Sequence, residues 1–377
     1  MSINKSNRIF GLDLMRAVAI ILVLISHSIW VIPITNPRIN ELVALSGYLG
    51  VEIFFVLSGF LIGKILFRIY ISVDFKIKDF GHFLVRRWFR TLPNYYLILL
   101  VNILIAICLG TKLPNDLWQY FVFFQNLAWP MSSFFGESWS LSIEEFAYIL
   151  GPLVLYLTFI LNRNTAKSKL FLGVTVFIIV GFTLARLFYN SFNEVSNMTI
   201  WNRSLKAVVI YRVDAIYYGV LAAYISVQYP KFWMNCKFYG LVIGVFSIVG
   251  LNIFIPQLSL FIEISPLFWN IFYVAINSIA IACLLPYLSN VKSVSYLISK
   301  PVTFISIISY AIYLTHFSLV VKFIQQLKVS GPFANSNLIL LTLYIGLTIL
   351  LSYLLFRFYE KPITNLRDRI EIKNYFK

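Results

Sequence analysis

Charge is scarce in this chain. Asp, Glu, Lys and Arg together make up 12% of its 377 residues, 60% are hydrophobic, and mean hydropathy is +0.82. A soluble domain of this size could not solvate its surface with so few charges, so that class is excluded. Cysteine is scarce as well. Cys108, Cys236 and Cys283 are scattered without pair spacing, which implies neither a disulfide framework nor a metal site. Nothing repeats at 20–50 residues, and there is no low-complexity tract or long hydrophilic stretch. A single membrane domain over 1–377 with no appended soluble module is therefore expected. A cleavable signal peptide is not expected, because the first apolar run is too long, contains charge and lacks a small-residue cleavage site.

What the chain does have is long apolar runs, continuous rather than alternating, which indicates helices and not a barrel. Ten are predicted to span: Leu12–Ile32, Tyr48–Ile69, Leu92–Leu109, Trp139–Leu161, Leu170–Phe188, Leu205–Val227, Phe238–Phe254, Leu267–Leu288, Phe304–Phe323 and Leu338–Phe358. The net charge of +16 is unevenly placed. With both termini inside, the cytoplasmic segments hold Lys64, Arg68, Lys76, Lys78, Arg86, Arg87 and Arg90, then Arg163, Lys167 and Lys169, then Arg357, Lys361, Arg367 and Arg369. The outer loops keep only Arg38, Lys112, Arg203 and Lys328. This is the positive-inside asymmetry, so the basic balance is a topology signal rather than a nucleic-acid one. The fold class expected is all-α, a polytopic membrane protein with about ten transmembrane helices and both termini cytoplasmic. Leu117–Trp129, apolar but bounded by Pro114 and Pro130, is too short to span and is expected to be a re-entrant or interfacial helix on the outer side.

The first run, LDLMRAVAIILVLISHSIW, carries Asp13, Arg16 and His27. Eleven helical steps place Arg16 and His27 on one face, roughly 16 Å apart along the axis. Ionisable groups at that depth cost several kcal/mol unless they face protein or water, so they read as functional by default. The plainer alternative has Arg16 snorkelling to the cytoplasmic surface and His27 satisfied by a carbonyl. Arg86, Arg87 and Arg90 stand just before the predicted helix at Leu92, close enough to share a face and to fork around a ligand with several phosphates. They could equally meet lipid headgroups. Glu144 and Glu145 open the fourth predicted helix, where a carboxylate could orient an imidazole or touch a sugar hydroxyl. Glu137 and Glu145 could instead be solvated near the interface, and Trp139 reads as an interfacial anchor. Glu52 lies near the outer end of the second helix, where Ser58 and Gly59 permit close packing. Arg212 and Asp214 suit either a substrate pathway or an internal ion pair. His316, alone, suits a hydrogen-bonded core. No cysteine sits at the matching depth on a charged face. Phosphate-binding residues inside and an imidazole among carboxylates outside suit group transfer from a phosphate-rich donor to an outer acceptor.

Seven stretches in order carry a resemblance: LDLMRAVAIILVLISH, GVEIFFVLSGFLIG, RRWFRTLPNYY, WSLSIEEFAY, RVDAIYYG, SYAIYLTHF and YEKP. Over almost its whole length the chain resembles the acyltransferase-3 family of bacterial integral membrane proteins. That resemblance implies transfer of an acyl group, most often acetyl from acetyl-coenzyme A, to hydroxyls of envelope or exported glycans, in the bacterial cytoplasmic (inner) membrane. It implies that His27 is the catalytic histidine, that Arg16 shares its motif, that Arg87 and Arg90 match the donor-side arginine pair, and that Glu144 matches the tryptophan-serine-leucine-glutamate motif. Glu52 stands where relatives often have Asp. Some relatives carry a soluble esterase-like domain after the membrane part, and none is expected here before Lys377.

The expected enzyme is an O-acetyltransferase without a metal. Arg86, Arg87 and Arg90 would hold the coenzyme, His27 would act as general base and Glu144 would orient it. Glu52, Trp139, Ser140, Arg212, Asp214 and His316 would line a substrate pathway. Direct attack on the thioester and an acyl-enzyme on His27 or a serine both remain open. A transporter or flippase for a lipid-linked sugar is the rival class, though no inverted repeat is visible. Transfer of a larger acyl group such as succinyl would use the same motifs.

Overall fold

The computed structural model describes residues 8–73, 75–162, 164–194, 197–258, 260–330 and 336–366. Arg163, Arg367 and Arg369, used above for orientation, lie outside them. Among the described residues the chain is helical throughout, with no strand. Its principal helices are α1 (Phe10–His27), α2 (Pro37–Ile71), α3 (Ile77–Cys108), α4 (Trp139–Leu161), α5 (Lys167–Phe192), α6 (Asp214–Gln228), α7 (Lys237–Gln257), α8 (Val274–Leu288), α9 (Tyr296–Thr315) and α10 (Asn337–Leu355). Each predicted apolar run falls on one of these. Among the described residues eight helical stretches are long and apolar enough to cross a membrane, so the protein is a multi-pass membrane protein. The described apolar part of α7, Lys237–Asn252, is shorter.

Two helices are much longer than their apolar runs. At 1.5 Å per residue, α2 and α3 extend roughly 50 Å each, against a hydrocarbon core of about 30 Å. The predicted start of α3 at Leu92 is corrected to Ile77, so Arg86, Arg87 and Arg90 sit within the helix and not ahead of it. Polar residues at the start of α3 hid its onset, since a run defined by hydropathy begins only where the helix enters lipid.

The run predicted as Leu205–Val227 is broken. A π-helical turn over Asn202–Lys206 and a 3-10 turn over Val209–Tyr211 precede α6, which at 15 residues is about 22 Å long. The freed backbone is taken up by the segment predicted to be re-entrant. The amides of Val209 and Ile210 donate to the carbonyls of Asn126 and Leu127 at 3.0 and 3.1 Å, and Asn126 Nδ2 donates to the Trp139 carbonyl at 3.0 Å. Only Trp118–Phe121 of that segment is α-helical; the remainder is irregular chain. Irregular backbone is tolerated at membrane depth only when it is buried and paired in this way.

α2 and α6 cross with almost no side chain between them. A Cβ on Gly59 would lie 1.8 Å from the Ile216 carbonyl oxygen, and one on Gly219 would lie 2.0 Å from that of Val56. Only glycine permits this approach, and it brings Glu52 on α2 level with the residues ahead of α6.

Candidate active site

His27 is the last residue of α1 and His316 the first residue after α9, where a π-helical turn begins and runs to Val321. π turns insert one extra residue into a helix and are frequent at functional sites. The two imidazoles meet: His316 Nε2 lies 3.0 Å from His27 Nδ1, with the ring centroids 4.8 Å apart. Their tautomers follow from their other partners. His316 Nδ1 is 2.8 Å from the Tyr313 carbonyl and 3.1 Å from that of Ile312, and carbonyls only accept, so Nδ1 bears the proton. Nε2 of a neutral His316 is then an acceptor. His27 Nδ1 also faces the Val23 carbonyl, at 3.1 Å, so it too carries a proton and donates to His316 Nε2. In the neutral ring this leaves His27 Nε2 with a free lone pair, the state a general base needs. The expectation that places Glu144 beside His27 is corrected: the ring at His27 Nδ1 is that of His316, and Glu144 lies instead on a cavity it shares with Arg87 and Arg90.

Two cavities open among the basic residues of the bundle. A cavity of about 600 Å³ is lined by Arg68, Asp79, His82, Arg86, Arg87 and Arg90 with apolar neighbours. A narrower one of about 110 Å³ is lined by Arg16, Ser58, Arg87, Arg90, Ser140, Glu144, Tyr148 and Tyr313 among others. Arg87 and Arg90 face both, because residues 87 and 90 share a face of α3 while Arg86 is turned to the wider cavity alone. Among the described residues neither Arg87 nor Arg90 is in an ion pair. Arg87 rests on the rings of Phe83 and Tyr148, each 5.8 Å from its guanidinium carbon.

At the far end of the inner cavity, Ser140 Oγ donates to the Tyr313 hydroxyl at 2.7 Å. The carbonyl of that same Tyr313 receives the His316 proton, so the cavity wall and the histidine pair share a residue. Arg16, on this cavity, is held 3.6 Å from Asp13, which is bound in turn by Arg8 at 2.6 Å and Ser306 at 3.0 Å. The two adjacent glutamates diverge. Glu144 faces the inner cavity near the hydrogen-bonded Ser58 and Tyr148, while Glu145 accepts from Trp88 Nε1 at 2.9 Å and Thr91 Oγ1 at 3.1 Å.

Other predicted residues are placed elsewhere. Glu52 pairs with Arg212 and accepts from Ser278, and Asp214 pairs with Arg186 at 2.7 Å, all of them buried. None of these lines either cavity, so the internal ion pair is the better reading of Glu52, Arg212 and Asp214. Trp139 is buried rather than interfacial, edge-on to Phe55 with Lys206 over its face. Glu137 and Glu145 are likewise buried and hydrogen-bonded, not solvated. Sequence reasoning missed Tyr313, Tyr148, Arg68 and His82. Arg68 was visible as juxtamembrane charge, but tyrosines in an aromatic-rich chain give no signal.

Comparison with known proteins decides the family. The pattern described as "Acyltransferase domain" matches residues 9–357. The chain belongs to the acyltransferase-3 family. Its curated relatives in that family include the O-acetyltransferase OatA of Staphylococcus aureus strain NCTC 8325, 26% identical over 375 residues covering 94% of this chain and 57% of the relative. OatA of Staphylococcus aureus strain COL matches to the same extent. The chain thus spans a little over half the length of the relatives it matches. No solved structure matches this acyltransferase-3 chain. Among its described residues no group of His, Cys, Asp and Glu is placed to hold a metal.

Proposed function

We propose that the protein is an integral membrane O-acyltransferase of the bacterial cytoplasmic membrane, moving an acetyl group from cytoplasmic acetyl-coenzyme A to a hydroxyl of a cell-envelope or exported glycan. One observation carries this reading: two cavities share Arg87 and Arg90, and the inner one is walled by Tyr313, whose carbonyl holds His316 against His27 with its free base nitrogen. The wide cavity suits the nucleotide end of the coenzyme, with Arg86, Arg87 and Arg90 forked on its phosphates. The narrow one suits the pantetheine arm and a short acyl group, acetyl in this reading.

His27 Nε2 would take the proton of the acceptor hydroxyl as its oxygen attacks the thioester carbonyl. Collapse of the tetrahedral species breaks the carbon–sulfur bond, and the proton returns from His27 to the departing thiolate. His316 holds the imidazole in its reactive tautomer and shares the charge formed during the step. Purified protein incubated with acetyl-labelled coenzyme A and an envelope glycan fraction should place label on the glycan. A flippase would move the glycan without labelling it. Orientation has its own check. If ten segments cross with both termini cytoplasmic, cysteines placed at Asn162 and Ser191 should label from inside and outside respectively; labelling from one side only would overturn that topology.

A further inference from the structure

The sequence reading gave Glu137 only a solvated place near the interface, and the transfer step does not use it. It lies in a 3-10 turn, Gly136–Ser138, directly before α4 and is 4% exposed. A carboxylate at such depth is costly unless it serves something. Glu137 Oε1 accepts from the backbone amide of Ser318 at 3.1 Å, two residues beyond His316 in the π-helical turn. Asn102 on α3 donates to the Ser318 hydroxyl at 3.1 Å, so this residue is gripped from two sides. The Glu137 turn also abuts the aromatic between them: a Cβ on Gly136 would lie 3.2 Å from the Phe317 ring, whose centroid is 4.8 Å from that of His27.

These contacts surround a weak point in the helix. The His316 ring draws on the carbonyls of Ile312 and Tyr313, which belong to its own helical ladder, and the chain beyond widens into the π turn. An outside acceptor on the Ser318 amide fixes that turn. A carboxylate makes a stronger bond to an amide than a neutral acceptor does, and the start of α4 favours negative charge. We propose that Glu137 is a positioning residue, clamping the π turn so that His316 stays in register with His27. This deepens the acyltransferase reading and rests on it.

The test is nitrogen-15 spectroscopy of histidine-labelled protein in nanodiscs, the His82 signal being identified by its loss in His82→Gln, with kcat and coenzyme A affinity measured on protein that keeps His82. Wild type should show the His27 and His316 rings protonated at Nδ1. Glu137→Ala should mix the tautomers and lower kcat about tenfold or more, with coenzyme A affinity unchanged within about twofold, as expected for a contact that acts through a base. Glu137→Gln keeps a carbonyl acceptor and should restore the wild-type spectrum and most of kcat. If the alanine variant does not fold, Glu137→Asp, which falls short of the amide, should mix the tautomers in its place. A wild-type spectrum and kcat in a variant lacking the contact would overturn the proposal, as would a folded Glu137→Gln with the defects of alanine. The spectrum needs no turnover, so it reports on the clamp even if acetyl transfer is the wrong reaction.

Discussion

Two sets of arginines lie within this bundle, and their surroundings differ. Arg186 and Arg212, beside α6, are wholly buried, each locked to one carboxylate, Asp214 and Glu52. Arg87 and Arg90, on α3, face cavities and have no ion-pair partner among the described residues. A buried charge must be compensated. In the first set the protein supplies the counter-charge, so the arginines hold helices together. In the second set the carboxylates of Glu144, Glu145 and Glu360 lie within electrostatic range but none is locked to an arginine, and the cavities leave room for solvent or an anionic ligand. Pairing, rather than depth, separates the two sets.

The comparison breaks most readily at α6. Removing one partner of a buried ion pair costs about 3–5 kcal/mol, because the other charge is stranded. Arg212→Ala and Glu52→Ala should each cause large losses of folded, monodisperse protein and a lower unfolding temperature in detergent. The double apolar replacement Glu52→Met with Arg212→Leu should recover much of that loss. Stable single variants would mean that the pair is not structural.

The cavity arginines should behave oppositely. A charge-assisted contact is worth about 1.5–3 kcal/mol, so Arg90→Ala should weaken coenzyme A binding roughly 10- to 100-fold while leaving the unfolding temperature nearly unchanged. Lysine should restore only part, since it lacks the fork. Normal coenzyme A binding by both Arg87→Ala and Arg90→Ala would reduce this set to topology signals. The smallest effect belongs to Ser140. Its neutral hydrogen bond to Tyr313 is worth about 0.5–1.5 kcal/mol, so Ser140→Ala should change kcat by no more than about tenfold and stability little. A complete loss of transfer would instead make Ser140 a candidate for the acyl-bearing serine.

What could be seen in advance followed the range of each interaction. Hydropathy located every long helix, and the eleven-residue spacing of Arg16 and His27 was a property of a single helix. The close approach of α2 and α6 was legible in small residues such as Gly59. The partner of His27 was not legible, because His316 stands 289 residues away and reaches it only once α1 and α9 pack. Glu144 looked the better partner on chemical grounds, yet its helix carries it to the inner cavity. The break before α6 was hidden for a related reason: the irregular backbone there is apolar in sequence and is satisfied by carbonyls some 80 residues earlier.

If the coenzyme is held at Arg87 and Arg90 and the proton is taken at His27, binding and chemistry should come apart in one molecule. His27→Gln is close in size and still hydrogen-bonds, but it offers no basic nitrogen in place of Nε2. Coenzyme A affinity and acetyl transfer should be measured on the same purified preparation of this variant. The account predicts affinity within about twofold of wild type and transfer reduced by about 10²–10⁴, the usual loss when a general base is removed. A His27→Gln protein that transfers acetyl at the wild-type rate would contradict it.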